Sequence, residues 1–346
     1  MVQSAAVSRS QPAGVSAPAA GGSGYWTDEP APRRGGVSPA VALRHTLLWT
    51  SRRPQIKTLI TASAATRSLV HRFVAGDTVE QAVAVARALT SQGLHVTLDH
   101  LGEDTRDAAA ASAAVTVYES LLRRLGDEGL AAHAEMSIKL SALGQALDQG
   151  MALENARRIC ATARAQNSCV TVDMEDHTTT DSTLQTVAAL RKDFASTGAV
   201  IQASLHRSIA DCQGLAVPGS RVRLCKGAYQ EPATVAWQRT EEVRTAYLRC
   251  MRTLISGGAY LMAATHDPQL ISAAGKLLAA LAPDAAHEYQ MLYGVRTDEQ
   301  QRLARGGATV RVYVPFGTQW YSYLMRRMAE RPANLALVLR ALVSSR

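Results

Sequence analysis

The chain has 346 residues, 47% of them apolar, enough to bury one large core in a single barrel-sized domain. No apolar run approaches a membrane span and no charged-then-apolar leader opens the chain, so the expectation is a soluble, unexported, cytoplasmic protein. The net charge of +8 invites a nucleic-acid reading, but residues 1–76 hold nine Lys/Arg against two Asp/Glu, which leaves only +1 for everything after. No nucleic-acid partner is expected. Cys160, Cys169, Cys212, Cys225 and Cys250 are odd in number, scattered and without metal-ligand spacing, which fits a reducing compartment.

Residues 1–40 are rich in Ala, Ser, Gly and Pro with few large apolar side chains, and are expected to be a disordered extension. Residues 41–76 mix apolar positions with Arg44, Arg52, Arg53, Lys57, Arg67 and Arg72 and are interrupted at Pro54; they read as short basic amphipathic helices. Their basic face either is solvated or rests on anionic lipid, a peripheral membrane contact. From residue 77 to 346 strands and helices alternate. Asp77 and Thr78 supply an N-cap for a helix running to Leu89. Eight strands are expected at 94–99, 135–140, 169–173, 200–203, 222–226, 260–264, 287–292 and 309–314, with helices including 105–124, 151–165, 181–193, 235–256, 268–281 and 299–305. Eight βα units imply a parallel (β/α)8 barrel of the TIM type, preceded by extra N-terminal helices. The rival is a doubly wound open sheet, but no G-x-G-x-x-G follows the first strand.

The last strand and the segment after it form the most informative stretch. Val310, Val312 and Val314 alternate with Arg311 and Tyr313, and Pro315 and Gly317 are expected to stop the strand. The period then changes: Tyr323, Arg326, Arg327 and Glu330 share one helical face, and two adjacent arginines can hold a carboxylate through forked hydrogen bonds.

In a barrel the active site lies at the C-terminal ends of the strands. Here those ends carry Asp99 and Glu103, Lys139 and Ser141, Asp173 to His177, Gln202, Arg223 with Lys226-Gly227-Ala228-Tyr229, Thr265-His266-Asp267, Glu288 with Gln290, and Tyr313. Single members of this ring are as easily helix caps or satisfied ion pairs; eight polar ends together point to a ligand. Asp173, Glu175, His177 and His266 leave a metal-dependent hydrolase or aldolase open as a reading. The cations suit another chemistry, an anionic substrate held beside a large anionic cofactor that gains charge on reduction, which describes a flavin. The Lys226-Gly227 turn and Thr265-His266 would then hold the cofactor phosphates, with glycine permitting close backbone approach. A methylenetetrahydrofolate reductase-like flavin barrel is the rival within that class, and the Arg326-Arg327 face suits a small carboxylate better than a folate.

The stretches Ser137-Ile138-Lys139-Leu140-Ser141-Ala142-Leu143, Val172-Asp173-Met174-Glu175, Arg223-Leu224-Cys225-Lys226-Gly227-Ala228-Tyr229, Ala263-Ala264-Thr265-His266-Asp267, Glu288 through Gly294, and Tyr313 through Glu330 resemble the proline dehydrogenase family. The resemblance extends to both the monofunctional bacterial enzymes and the catalytic barrel of the bifunctional proline utilisation flavoprotein. It implies FAD, oxidation of L-proline to Δ1-pyrroline-5-carboxylate by hydride transfer to flavin N5, and a membrane quinone as electron acceptor. A pyrroline-5-carboxylate dehydrogenase downstream is the implied partner.

By the same resemblance Lys139, Arg326 and Arg327 bind the proline carboxylate. Tyr229, Tyr313, Tyr323 and Leu292 surround the ring, and Glu103 pairs with Arg327 as a gate, with Glu330 also on the substrate side. Asp173 and Arg223 are implied as catalytic-site residues, Asp173 fixing Lys139 and Arg223 lying near N5. Met174, Gln202, Arg223, Cys225, Lys226, Gly227, Ala228, Thr265 and His266 are implied as FAD contacts. Gln230 departs from the bifunctional enzymes, which carry a tryptophan there.

Overall fold

Side chains alternate along several of the strands between apolar and polar positions, most clearly at 95–100, 134–138, 221–225 and 310–314, and this alternation decides where the core lies. The computed structural model describes residues 70–321, 323 and 324. The expected extension over 1–40, most of the basic segment over 41–76, and Arg326, Arg327 and Glu330 lie outside the described residues.

Strands β1 (His95–His100), β2 (Ala134–Ile138), β3 (Cys169–Val172), β4 (Gly198–Gln202), β5 (Arg221–Cys225), β6 (Tyr260–Ala264), β7 (His287–Leu292) and β8 (Val310–Phe316) pair in parallel and in sequence order, with β8 returning to β1. The closed barrel excludes the open doubly wound sheet. Around it run α1 (Val79–Thr90), α2 (Ala108–Asp127), α3 (Gln149–Ala165), α4 (Thr180–Arg191), α5 (Ser208–Leu215), α6 (Thr240–Ser256), α7 (Pro268–Leu281) and α8 (Thr297–Arg305).

The apolar core is the layer between strands and helices. Val96, Leu98, Met136, Ile138, Val222, Leu224, Val312 and Val314 join Tyr118, Leu121, Leu122, Tyr247, Met251 and Leu254 of α2 and α6 there. Each such side chain, fully buried, contributes on the order of 1.5–3 kcal/mol. The alternate strand positions carry Thr97, Glu135, Thr171, Arg221, Arg223, Glu288, Gln290 and Arg311. A barrel interior is ordinarily filled with Val, Ile and Leu; this one holds paired charges.

Two local features put the site where it is. Helix α1 begins at a capping box, Thr78 with Gln81, and packs against both β8 and β1. It thereby takes the place in the wall that the helix after β8 would fill in a simple (β/α)8 repeat. The chain reaches α1 across the C-terminal ends of the strands: Ala75 N donates to Pro315 O at 2.9 Å and Gly317 N to Gly76 O at 2.8 Å. Gly294, at φ +71°, lies under this crossing, where a Cβ would stand 1.8 Å from Arg72 O; no other residue fits.

Some boundaries differ from expectation for identifiable reasons. Strand β8 does not stop at Pro315 but continues to Phe316. The missing N–H of Pro315 lies on the side where β7 has already ended, so no ladder bond is lost. Helix α6 starts at Thr240 rather than 235, because the preceding residues form a loop bridged to the β4 end through Leu205 and Ala236, with Trp237 N donating to Ser204 O at 2.8 Å.

Candidate active site

The strand ends surround a cleft of about 670 Å³ whose walls include Asp99, Lys139, Asp173, Arg223, Lys226, Arg244, His266, Asp267, Leu292, Tyr313 and Tyr323. Met174, Gln202, Cys225, Gly227, Ala228, Tyr229 and Thr265 line it as well. Every described residue that the resemblance places in the site therefore reaches the cleft except Glu103, which is half-buried in the loop after β1 and does not line it; of the other polar strand ends, Ser141, Glu175, Asp176, His177 and Glu288 do not line it either.

The floor is a closed set of ion pairs. Lys139, just beyond β2, donates to both oxygens of Asp99 at 2.7 and 2.8 Å. Asp173 stands farther from it, at 3.8 Å. Asp99 is thus the nearer partner of Lys139, with Asp173, the partner the resemblance implied, as a second and longer ion pair. Burial opposes the ammonium charge, but Asp99, Asp173 and Glu103 hold its pKa above the usual lysine range. Asp173 instead receives Arg223 NH1 at 2.6 Å, Ser137 Oγ at 2.6 Å and Tyr313 OH at 2.8 Å. Three donors thus converge on this one carboxylate. The Tyr313 ring also lies against the Arg223 guanidinium, 5.4 Å from its centroid, and burial with the neighbouring Asp173 charge pushes its phenol well above the ordinary value.

Arg223 is 5% exposed and bound on several sides: Nε to Gln290 Oε1 at 2.6 Å, NH1 to Ser137 and Asp173, and NH2 to Glu135 Oε1 at 2.9 Å.

At the opposite wall β5 and β6 end in a more open group. Lys226 Nζ donates to Asp267 Oδ2 at 2.7 Å, and Arg244 Nε, from α6, reaches the same oxygen at 3.2 Å. Asp267 is also the N-cap of α7, accepting from Gln269 N at 3.0 Å ahead of Pro268 in the first turn. Gly227 has φ +115°, and a Cβ there would fall 2.2 Å from Ser204 Oγ, so the turn is a cradle that only glycine leaves open. Gln202 spans the loops around it, its Nε2 donating to Glu175 O at 2.7 Å and its Oε1 accepting from Ala228 N at 3.4 Å. His266 Nε2 accepts from Leu292 N at 2.9 Å; a backbone N–H can only donate, so neutral His266 carries its proton on Nδ1. Two cations, a glycine turn and an oriented imidazole fit a phosphate-bearing cofactor.

The four residues considered as metal ligands point to different partners. Asp173 is taken by Arg223 and Tyr313, Glu175 by Ser141, His177 Nδ1 by Glu231, and His266 Nε2 by Leu292. Among the described residues no three His, Cys, Asp or Glu side chains gather as a metal ion would require.

Sequence reasoning placed Asp99 in the ring of strand ends without its pairing to Lys139, and did not reach Arg244 at all. Arg244 sits on a helix with no local pattern to mark it, and only the fold brings it to Asp267.

A family profile described as proline dehydrogenase matches residues 82–339. The chain is 37% identical over 304 residues to proline dehydrogenase 1 of Bacillus subtilis (strain 168), covering 87% of this chain and 99% of that one. It is 37% identical over 307 residues to proline dehydrogenase of Deinococcus radiodurans, covering 87% and 97%. Its fold is similar to that of proline utilization A (PutA) from Bdellovibrio bacteriovorus inactivated by N-propargylglycine, with a TM-score of 0.72 at 20% identity over 84% of this chain. This chain spans only 38% of that longer protein, and at that identity the likeness speaks for the fold alone.

Proposed function

The chain belongs to the proline dehydrogenase family of flavin-dependent oxidoreductases, and on that premise we propose that it oxidises L-proline to Δ1-pyrroline-5-carboxylate with FAD and passes the electrons to a quinone. The observation that carries the reading is one cleft with two dissimilar ends. A buried cluster of Lys139, Asp173, Arg223 and Tyr313 lies at one end, and the Lys226-Gly227 turn with Arg244 and His266 at the other.

On this reading residues 77–346 are the catalytic barrel. Lys139, with Arg326 and Arg327 from beyond the described residues, fixes the substrate carboxylate, while Tyr229, Leu292, Tyr313 and Tyr323 enclose the pyrrolidine. Asp173 keeps Tyr313 and Arg223 in place. Glu103 closes over Arg327, and Glu330 completes the substrate side. Met174, Gln202, Cys225, Lys226, Gly227, Ala228, Thr265 and His266 hold FAD. FAD bound along the cleft would take a hydride at N5 from the proline ring. The protein's contribution is largely positioning: a carboxylate pinned by several cations presents one ring C–H in one direction.

The basic segment over 41–76 is read as a peripheral membrane contact that brings the enzyme to its quinone. Its described end, residues 70–76, crosses the strand ends beside the cleft, which supports that assignment. Among the described residues no helix is long and apolar enough to cross a membrane. The product is a cyclic imine carboxylate, a substrate for a pyrroline-5-carboxylate dehydrogenase downstream.

The experiment is to purify the full chain, record its visible spectrum, and add L-proline. Flavin absorbance that bleaches with proline is expected; a colourless protein, or one bleached by NADH and not by proline, would sink the reading. Replacing Arg44, Arg52, Arg53 and Lys57 by Gln should lower turnover with quinone in vesicles and leave turnover with a soluble dye unchanged. Equal loss in both assays would remove the membrane role.

A further inference from the structure

The interior of the barrel beneath the cleft carries more charges than the proposed reaction uses. Four cations, Lys139, Arg221, Arg223 and Arg311, share it with four carboxylates, Asp99, Asp173, Glu135 and Glu288. Glu135 and Glu288 are wholly buried. Glu135 is the junction: Thr97 Oγ1 donates to it at 2.7 Å, Arg223 NH2 at 2.9 Å and Arg221 NH2 at 2.7 Å, and Arg311 Nε stands 3.9 Å away. Arg311 pairs with Glu288 through Nε at 2.8 Å and NH2 at 3.1 Å, and Gln290 joins Glu288 to Arg223. The charges thus form a ring through Arg223, Glu135, Arg311, Glu288 and Gln290.

We infer that Glu135 sets the reduction potential of the flavin held above Arg223, its negative charge offsetting the guanidinium from below. This rests on the reading that a flavin occupies the cleft with Arg223 near its redox-active ring. Arg223 alone would favour the reduced, more negative flavin and raise the potential. Two carboxylates, Asp173 from the cleft side and Glu135 from the barrel side, counter that field in a place little screened by water. Burial opposes ionisation of Glu135, but Arg311, Arg221 and Arg223 hold its carboxyl below the usual range, so the charge is present at any working pH. The benefit lies in the second half-reaction, because a flavin kept from too high a potential passes its electrons on more readily. Glu135 does not line the cleft, so this is a positioning and electrostatic residue, not a catalytic one.

The test is the midpoint potential of the full-length holoprotein, measured by titration against a reference redox dye with the flavin spectrum as readout. Glu135→Gln should raise it, increasing the reduced-to-oxidised ratio at the wild-type midpoint roughly tenfold, about 30 mV for a two-electron couple. Glu135→Asp, which keeps the charge, should restore the wild-type value. Glu288→Gln, acting through Arg311, should shift the potential in the same direction by less, and it carries the test if Glu135→Gln does not fold. Bound flavin with an unmoved potential in every Gln variant that folds would overturn the inference and leave the proposed function standing. A shift in Glu135→Asp equal to that in Glu135→Gln would also overturn it, showing geometry rather than charge to be the cause. A chain that binds no flavin would overturn the proposed function, and this inference with it.

Discussion

At the floor of the cleft the side chains of Asp99, Lys139, Arg223 and Asp173 are 1, 10, 6 and 13% exposed, and each is fixed by ion pairs inside the barrel. At the β5–β6 wall, Lys226 and Arg244 are 33 and 22% exposed and share one oxygen of Asp267. The floor resists change because moving any member strands a buried charge. The wall has solvent to screen it and can tolerate a rearrangement of its cations. The floor is therefore rigid and expensive to perturb, and the β5–β6 wall is adjustable.

The sharpest way to break that comparison is Lys139→Met. It leaves Asp99 buried without its cation, and we expect a loss of about 3–5 kcal/mol of stability together with a large rise in KM for proline. Adding Asp99→Asn should return much of the stability, read by denaturant unfolding, without restoring proline binding. If the double variant is no more stable than the single one, the pair is not the structural unit described. Lys226→Ala should behave oppositely. Its effect on unfolding should stay within about 1 kcal/mol, but flavin should be lost more readily on gel filtration. Wild-type flavin retention should also weaken as salt rises, and retention independent of ionic strength would contradict the screened, electrostatic wall.

The smallest effect concerns Glu175, buried between floor and wall, where it accepts from Ser141 N at 3.1 Å and from the Ser141 hydroxyl. Burial raises its pKa above the ordinary carboxylate value, although Ser141 opposes the shift. The folded state then holds the proton more tightly than the unfolded chain. That contribution is complete below the unfolded pKa of about 4.3 and is lost as pH rises through the folded value. Relative to Glu175→Gln, the wild type should lose stability from acid toward neutral pH in thermal unfolding. A difference that stays flat with pH would show that the carboxyl does not titrate as described.

The barrel was legible because eight short strand-like runs alternate with helical ones, several with period-two alternation as in β8, and β6 and β7 were placed residue for residue. Short α5 was not among the expected helices, since Ser208–Leu215 is eight residues long with only Ser208 and Cys212 buried, too little to set a period. The ring of polar strand ends located the site, and most of the residues it named line one cleft, while Glu103, Ser141, Glu175, Asp176, His177 and Glu288 do not. Pairing within that ring was not legible: choosing Asp99 over Asp173 for Lys139 depends on how neighbouring strands are staggered. Arg244 shows the same limit, since α6 advertises only its apolar stripe of Ala246, Tyr247, Cys250, Met251 and Leu254. Local pattern reports which face a residue occupies, and long-range closure decides whom it meets.

The substitution of α1 for a wall helix after β8 has a consequence for how this protein can diverge. The wall between β8 and β1 is covered by a segment from before the first strand, while Tyr323, beyond the last one, lines the cleft. A change in α1 should therefore be felt first by the barrel's integrity, and a change at Tyr323 first by whatever the cleft holds.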